Sequence, residues 1–341
     1  FMKKELYQNY IKLLNQEMVK ALGCTEPIAV ALAGAKASEV LGKMPEKITI
    51  KCSQNIVKNV KGVIVPTTGD MRGIDTACVL GALAGDASLE LEVLRNVKQE
   101  DIKKLKELLA KKICKVEQLE SGDNLHIICQ VESGKDTAEV EILHSHSNIV
   151  SIKKNGKVIF ESKKSNGENF EKIDSSILKF DDIYEFVNTF NIDDLKDLFD
   201  MEIQCNNAIA EEGLKNDYGA RVGKTILKNA GDSIKEKAKA FASAGSDARM
   251  SGCNMAVVIN SGSGNQGMTI LSTVYQYAKY LKVSDEKLYR ALALANLVAL
   301  WQKSAIGKLS AFCGAVSAGS AGGAGIVYMK GGTKKQIEDT I

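Results

Sequence analysis

Apolar residues recur at helical spacing from the start of the chain, at Leu6, Tyr10, Leu13, Leu14, Met18 and Ala21, and predict an amphipathic helix over 3–21. Gly23 ends it. Thr25 can cap a second helix, with Pro27 in its first turn and Ile28 to Leu41 as its body, before Gly42 stops it. Residues 47–52 alternate as a strand, 62–66 read as strand or buried loop, and 74–87 as a buried helix. From about Leu89 the pattern changes. Glu100 to Lys112 reads as a charged amphipathic helix, and strand-like runs follow at 113–120, 124–132, 136–144, 147–154 and 157–162, with Asn155-Gly156 as a hairpin signal. Lys163 to Glu171 is polar enough to be an exposed return linker. Beyond Ile173 the period is helical at 181–190, 192–215, 219–230, 233–245, 265–282, 284–303 and 313–330, and the unbroken apolar run Leu292 to Trp301 predicts a central buried helix. Residues 334–341 read as the polar start of another helix, so the fold is expected to continue past them.

This pattern predicts an α+β fold. A mostly helical body, 1–87 and 169–341, is expected to be the catalytic part, with 88–168 a small inserted α+β domain. Composition adds exclusions. Hydrophobic residues are 45% and charged residues 26%, ordinary for a globular protein, and 45 basic against 42 acidic side chains leave a net charge of +3. No basic arm points to nucleic acid, no apolar run reaches the ~18 residues of a membrane span, and the N-terminus lacks the apolar core of a signal peptide, so a cytoplasmic protein is expected. The eight cysteines, Cys24, Cys52, Cys78, Cys114, Cys129, Cys205, Cys253 and Cys313, are dispersed without a CxxC pair and read as reduced thiols. His126, His144 and His146 fall together in the β-rich region and read as solvated or structural.

Chemistry concentrates where side chains are small. In Ser310–Met329, Cys313 heads a run of Gly, Ala and Ser, which serves either close helix packing or backbone binding of an anion or cofactor beside the thiol. Gly23-Cys-Thr-Glu-Pro27, Pro66-Thr-Thr-Gly-Asp70, Ser251-Gly-Cys-Asn254 and Asn260-Ser-Gly-Ser-Gly-Asn-Gln-Gly267 share that texture, as a site for a small anionic molecule requires. Cys24 falls at a helix start, where the dipole lowers a thiol's pKa, although a buried structural residue is the commoner fate of a lone cysteine. Backbone N–H groups and side chains near Thr67, Thr68, Ser261, Ser263 and Asn265 could bind a carboxylate. Glu26 or Asp70 could pair with an ammonium, though a first-turn acid such as Glu26 also suits the helix dipole. Arg249 reads as a surface ion pair more than a carboxylate ligand.

Taken in this order, the five motifs, the last being Cys313-Gly-Ala-Val-Ser-Ala-Gly319, resemble the L-cysteine desulfidase family, relatives of the α-chain of bacterial iron–sulfur L-serine dehydratases. The resemblance covers essentially the whole chain. It implies a [4Fe–4S] enzyme that eliminates sulfide from L-cysteine to give pyruvate, ammonia and hydrogen sulfide. It implies Cys24 as the base for the α-proton and Cys313 as one of three cluster ligands, the other two being expected beyond residue 341. The expected partner is a small amino acid, with a homodimer left open. An L-serine dehydratase and a non-catalytic amino-acid-binding protein remain the competing readings.

Overall fold

The computed structural model describes residues 2–162, 173–306 and 313–341. The first apolar run forms α1 (Lys4–Glu17), which ends four residues earlier than predicted, because the chain leaves helical geometry at Met18 and enters a short strand, β1 (Lys20–Leu22). In α2 (Thr25–Leu41) the cap is Cys24, not Thr25: Cys24 holds the extended backbone of a capping residue while Thr25 is already helical. Gly42, at φ +82°, closes that helix in the left-handed conformation expected of a C-terminal glycine.

The alternating stretch forms β2 (Lys47–Cys52), followed by α3 (Gln54–Lys61), which the sequence reading did not anticipate, and α4 (Ile74–Ala84). After α5 (Gln99–Ala110) come β3 (Cys114–Gln118), β4 (His126–Ser133), β5 (Asp136–Leu143), β6 (Ile149–Lys154) and β7 (Lys157–Glu161). Asn155 and Gly156 both take positive φ, as the two-residue turn between β6 and β7 requires. The six strands lie in the order β3-β2-β4-β5-β6-β7, parallel only between β2 and β3. Alternate residues Ile48, Ile50 and Cys52 turn one face of β2 inward, and those of β4 and β5 follow the same register.

The chain divides into two compact units. One holds Ala21–Phe170 and Arg249–Asn254; the other holds Phe1–Lys20, Glu171–Ala248 and Met255–Ile341. The expected insert at 88–168 is therefore not a unit of its own. The reason is the sheet: β2, from outside that range, pairs with β3 on one side and β4 on the other, so the insert's strands cannot close without it. The expected linker at 163–171 lies outside the described residues.

The other unit is helical. Its elements are α6 (Phe180–Thr189), α7 (Lys196–Lys215), α8 (Val222–Ala230), α9 (Ile234–Met250), β8 (Ala256–Val258), α10 (Gly264–Leu281), α11 (Asp285–Ile306), α12 (Gly314–Met329) and α13 (Lys334–Glu338). The run predicted as 192–215 is interrupted at Leu195, where a single 3₁₀ turn precedes α7. Its core joins Tyr10, Leu13 and Leu14 of α1 to Phe186 of α6, Phe199 of α7 and the buried centre of α11, including Leu292 to Leu300. Phe186 and Phe190 stack with ring centroids 5.2 Å apart, and Tyr10 tilts against Phe186 at 5.3 Å.

Small residues set helix spacing in both units. In α12, a Cβ at Gly322 would lie 2.8 Å from Thr273 Cγ2, and one at Gly325 would lie 2.9 Å from Val274 Cγ2. For that part of the glycine-rich stretch, close helix packing is what is observed. Between α2 and α4, a Cβ at Gly81 would collide with the backbone carbonyl of Ala31. Gly81→Ala is expected to cost roughly 1–3 kcal/mol in chemical denaturation, because backbone cannot move aside as a side chain can. Gly122→Ala, at a position with nothing within 4 Å, should be close to neutral and serves as the control.

Candidate active site

Three of the small-residue motifs meet in the sheet-containing unit. Gly23 sits at φ +62° with Pro66 packed where a side chain would be, and a Cβ at Gly252, φ +82°, would lie 2.7 Å from Ile64 Cγ2. Such positions require glycine for both backbone angle and space. The segments are held by Arg249, only 3% exposed, whose Nη1 donates to the Gly23 carbonyl at 2.7 Å. Arg249 is thus no surface ion pair. Its sequence context, at the end of a polar helix, gave no sign of that burial.

At the start of α2, the Cys24 thiol donates to Glu26 Oε2 at 2.9 Å. Thr25 Oγ1 donates to the same oxygen at 3.2 Å, and Asn59 Nδ2, on α3, donates to Oε1 at 3.1 Å. Both carboxylate oxygens are therefore engaged. Burial pushes Glu26 up, but the charges of His146 and Arg249 and the hydrogen bond from Cys24 outweigh it and hold the carboxyl below its ordinary value. His146, read from sequence as structural or solvated, is 7% exposed and acts on Glu26. Its position between β5 and β6, more than a hundred residues from Cys24, left nothing in the sequence to connect them.

The thiol itself departs from expectation. Burial, with the Glu26 anion adding to it, pushes Cys24 up to about 12, overcoming the opposing charge of Arg249. The lowered pKa expected from a helix start is not observed. Cys24 is 6% exposed, and the cost of burying a thiolate beside a carboxylate exceeds what one turn of helix dipole returns.

The carboxylate-binding candidates separate on geometry. Thr68 Oγ1 donates to the Val65 carbonyl at 2.7 Å and accepts from Met71 N at 3.2 Å, so it staples its own turn. Thr67, at φ +70°, carries a buried Oγ1 with no hydrogen-bond partner among the described residues. A strained residue with an unsatisfied hydroxyl is the stronger binding candidate. Asp70 is exposed.

In the helical unit, Ser261 is 3% exposed at φ +50°, and Ser263 caps α10 by accepting from Gln266 N at 3.3 Å. Asn265 lies in the first turn of α10, its carbonyl accepting from Thr269 Oγ1 at 2.9 Å. Gln266 packs against Gly314, where a Cβ would collide with its Oε1, so this loop meets the start of α12. Cys313 is the N-terminal cap residue of α12 and is exposed. Its thiol is a soft donor open to a ligand. Among the described residues no group of three or more His, Cys, Asp or Glu side chains is arranged to hold a metal ion, so Cys313 fits as one ligand rather than a complete set. Residues 310–312 of its motif lie outside the described residues. Cys52, Cys78 and Cys129 are buried in the other unit, with Cys78 Sγ 3.7 Å from Cys129 Sγ. Among the described residues, no helix is long and apolar enough to cross a membrane.

Comparison with known proteins places most of the chain in one family. A family model described as the serine dehydratase alpha chain matches residues 88–341. A UPF0597 protein of Lachnoclostridium phytofermentans is 47% identical over 98% of this chain and 80% of its own length. One from Finegoldia magna is 49% identical over the same shares, and one from Desulfitobacterium hafniense is 44% identical over 98% of this chain and 78% of its own.

The electrostatics of Cys24 give a direct test. At pH 7.5 iodoacetamide should label Cys313 well before Cys24, and Glu26→Gln should quicken Cys24 labelling several-fold, because removing the anion lowers the thiol's pKa. Peptide mass spectrometry over a time course reads both rates, and an unchanged Cys24 rate would contradict the assignment.

Proposed function

The chain belongs to the serine dehydratase alpha chain family, and from that premise we propose that it is an iron–sulfur-dependent lyase that eliminates sulfide from L-cysteine. The products are pyruvate, ammonia and hydrogen sulfide. The observation that carries the reading is the hydrogen-bonded pair of Cys24 and Glu26, set beside a buried guanidinium, while Thr67, next to the Pro66 that packs on Gly23, has a hydroxyl without a partner among the described residues. A packed structural cysteine needs none of these.

In this reading Cys24 takes the α-proton. At rest it is a thiol, and its proton is directed at Glu26. An amino acid brings an ammonium group, and pairing that group with Glu26 cancels part of the charge that disfavours the Cys24 thiolate. Substrate binding then helps to create the base that it needs, the thiol proton leaving to water while the ammonium holds Glu26 ionised. Thr67 Oγ1 is the donor assigned to the substrate carboxylate, with Ser261, Ser263 and Asn265 retained as further binding candidates. A [4Fe–4S] cluster, when bound, supplies a Lewis-acidic iron for the leaving sulfur, and Cys313 is the described residue assigned to hold it.

The family's description favours a second reading, in which L-serine is the substrate and hydroxide the leaving group. Pyruvate release from the two amino acids by anaerobically purified, iron-loaded enzyme separates them: a higher kcat/KM for cysteine supports desulfidation, and a higher one for serine overturns it. Cys24→Ser should keep its iron and lose about 10²–10⁴-fold in turnover, as loss of a general base does. Cys313→Ser should lose iron and turnover together. Loss of iron on replacing Cys24 would remove it from the role of base.

A further inference from the structure

Among the polar groups buried in the helical unit, one carboxyl and three amides are joined end to end, and the chemistry above leaves them unused. Glu202 of α7 is 1% exposed, and Asn260, Gln266 and Asn296 are 0% exposed. Asn296 Nδ2 donates to both Glu202 oxygens at 3.2 Å and to the Leu292 carbonyl at 3.1 Å. Its Oδ1 is left to accept from Asn260 Nδ2 at 2.9 Å, and Asn260 Oδ1 accepts in turn from Gln266 Nε2 at 2.6 Å. Every amide turns its NH₂ toward the carboxyl and its oxygen away. The last oxygen, Gln266 Oε1, is buried without a hydrogen-bond partner among the described residues and lies against Gly314, the first helical residue of α12.

We propose that Glu202, Asn296, Asn260 and Gln266 form a relay of positioning residues for Cys313, in which the carboxyl fixes the sense of the chain so that an acceptor faces the first turn of α12. That turn has a use for one. The first N–H groups of a helix have no acceptor within it, and Cys313, in the capping position, makes no side-chain cap bond. Were the amides reversed, an NH₂ would meet those N–H groups and repel the turn that carries the thiol. A buried polar chain with one unsatisfied end calls for such an account, because an apolar core of the same shape would avoid the penalty. The importance of the relay for catalysis rests on Cys313 as a ligand. The coupling between Glu202 and Cys313 does not.

The chain also carries a pH signature. Burial pushes Glu202 up to about 8, with the Asn296 hydrogen bonds opposing. Above that value the carboxylate only accepts, and the sense of the chain is fixed; below it the acid carries a proton that can compete with Asn296 and relax the sense. Among the described residues, no charged group shifts Glu202 from the elements packed on it. β8 has none, Tyr289 of α11 donates to Asp200, Arg290 is held by Glu286 and Val187, and Lys303, whose pKa burial lowers, interacts with Cys313. Lys279 of α10 stands over the Tyr275 ring, Lys224 of α8 pairs with Asp217, and Asp194, just before α7, accepts from Tyr7.

The test places a trifluoromethyl thioether on Cys313 and follows its ¹⁹F shift from pH 6 to 10 in the whole chain, with Cys313→Ser identifying the resonance. The label does not titrate, and the readout needs no iron, so iron content in the unlabelled enzyme judges the ligand reading separately. Wild type should show one step with a midpoint about 8, and Glu202→Gln, which keeps an acceptor for Asn296, should abolish it while the melting temperature shows a folded protein. Gln266→Leu should abolish it as well. A step that persists in Glu202→Gln, or no step in wild type, would overturn the relay. If Gln266→Leu does not fold, those two samples still decide the matter.

Discussion

A buried guanidinium sets the terms for the loops that carry the proposed chemistry. Arg249 is shut away from water and must be compensated, and it finds the Gly23 carbonyl as a hydrogen-bond acceptor and the Glu26 carboxylate as a counter-charge. Gly23 immediately precedes Cys24, so the arginine also fixes where α2 begins. Asn59 of α3, Thr25 and Cys24 then donate to the carboxylate, two of them to Oε2 and only Asn59 to Oε1. Each of these groups is tolerable in the interior only because the others are present, which makes the cluster a single electrostatic unit rather than a set of separate contacts.

Two uses of glycine follow from the same economy of space. At Gly23 and Gly252 the backbone turns into the left-handed region, and neighbouring chain occupies the place of a side chain. At Gly81, Gly322 and Gly325 the backbone is ordinary helix, and the missing side chain lets another helix approach. The first kind brings motifs distant in sequence together around Arg249. The second builds the rigid helix pairs on which those loops and the Cys313 turn are mounted.

That division explains what the sequence disclosed. Elements with a clean period, such as α1, α11, β2 and the β6–β7 hairpin at Asn155-Gly156, were legible because patterning and turn chemistry act locally. α3 was missed since Gln54–Lys61 offers two apolar anchors, Ile56 and Val60, inside a polar run. The boundary of the inserted region was misplaced because sheet pairing is non-local, and nothing in Lys47–Cys52 announces partners at Cys114–Gln118 and His126–Ser133. Cys24 was placed correctly at a helix start and given the wrong direction of pKa shift, since burial and a carboxylate two residues away outweigh the dipole. Glu202, Asn260, Gln266 and Asn296 looked like ordinary polar positions; only folding reveals that they are buried and joined end to end.

The proposed chemistry turns on a cysteine that is a poor base at rest and a better one once a cation reaches Glu26, and this differs from the always-ionised thiolate that its helix position alone would give. Proton removal is the step to observe. The most direct measurement is the rate at which deuterium leaves Cα of α-deuterated L-cysteine, compared between the wild-type enzyme and Cys24→Ser at equal iron content. The account predicts that wild type releases deuterium in step with pyruvate and that both fall together in the variant. Deuterium release at the wild-type rate from Cys24→Ser would contradict it.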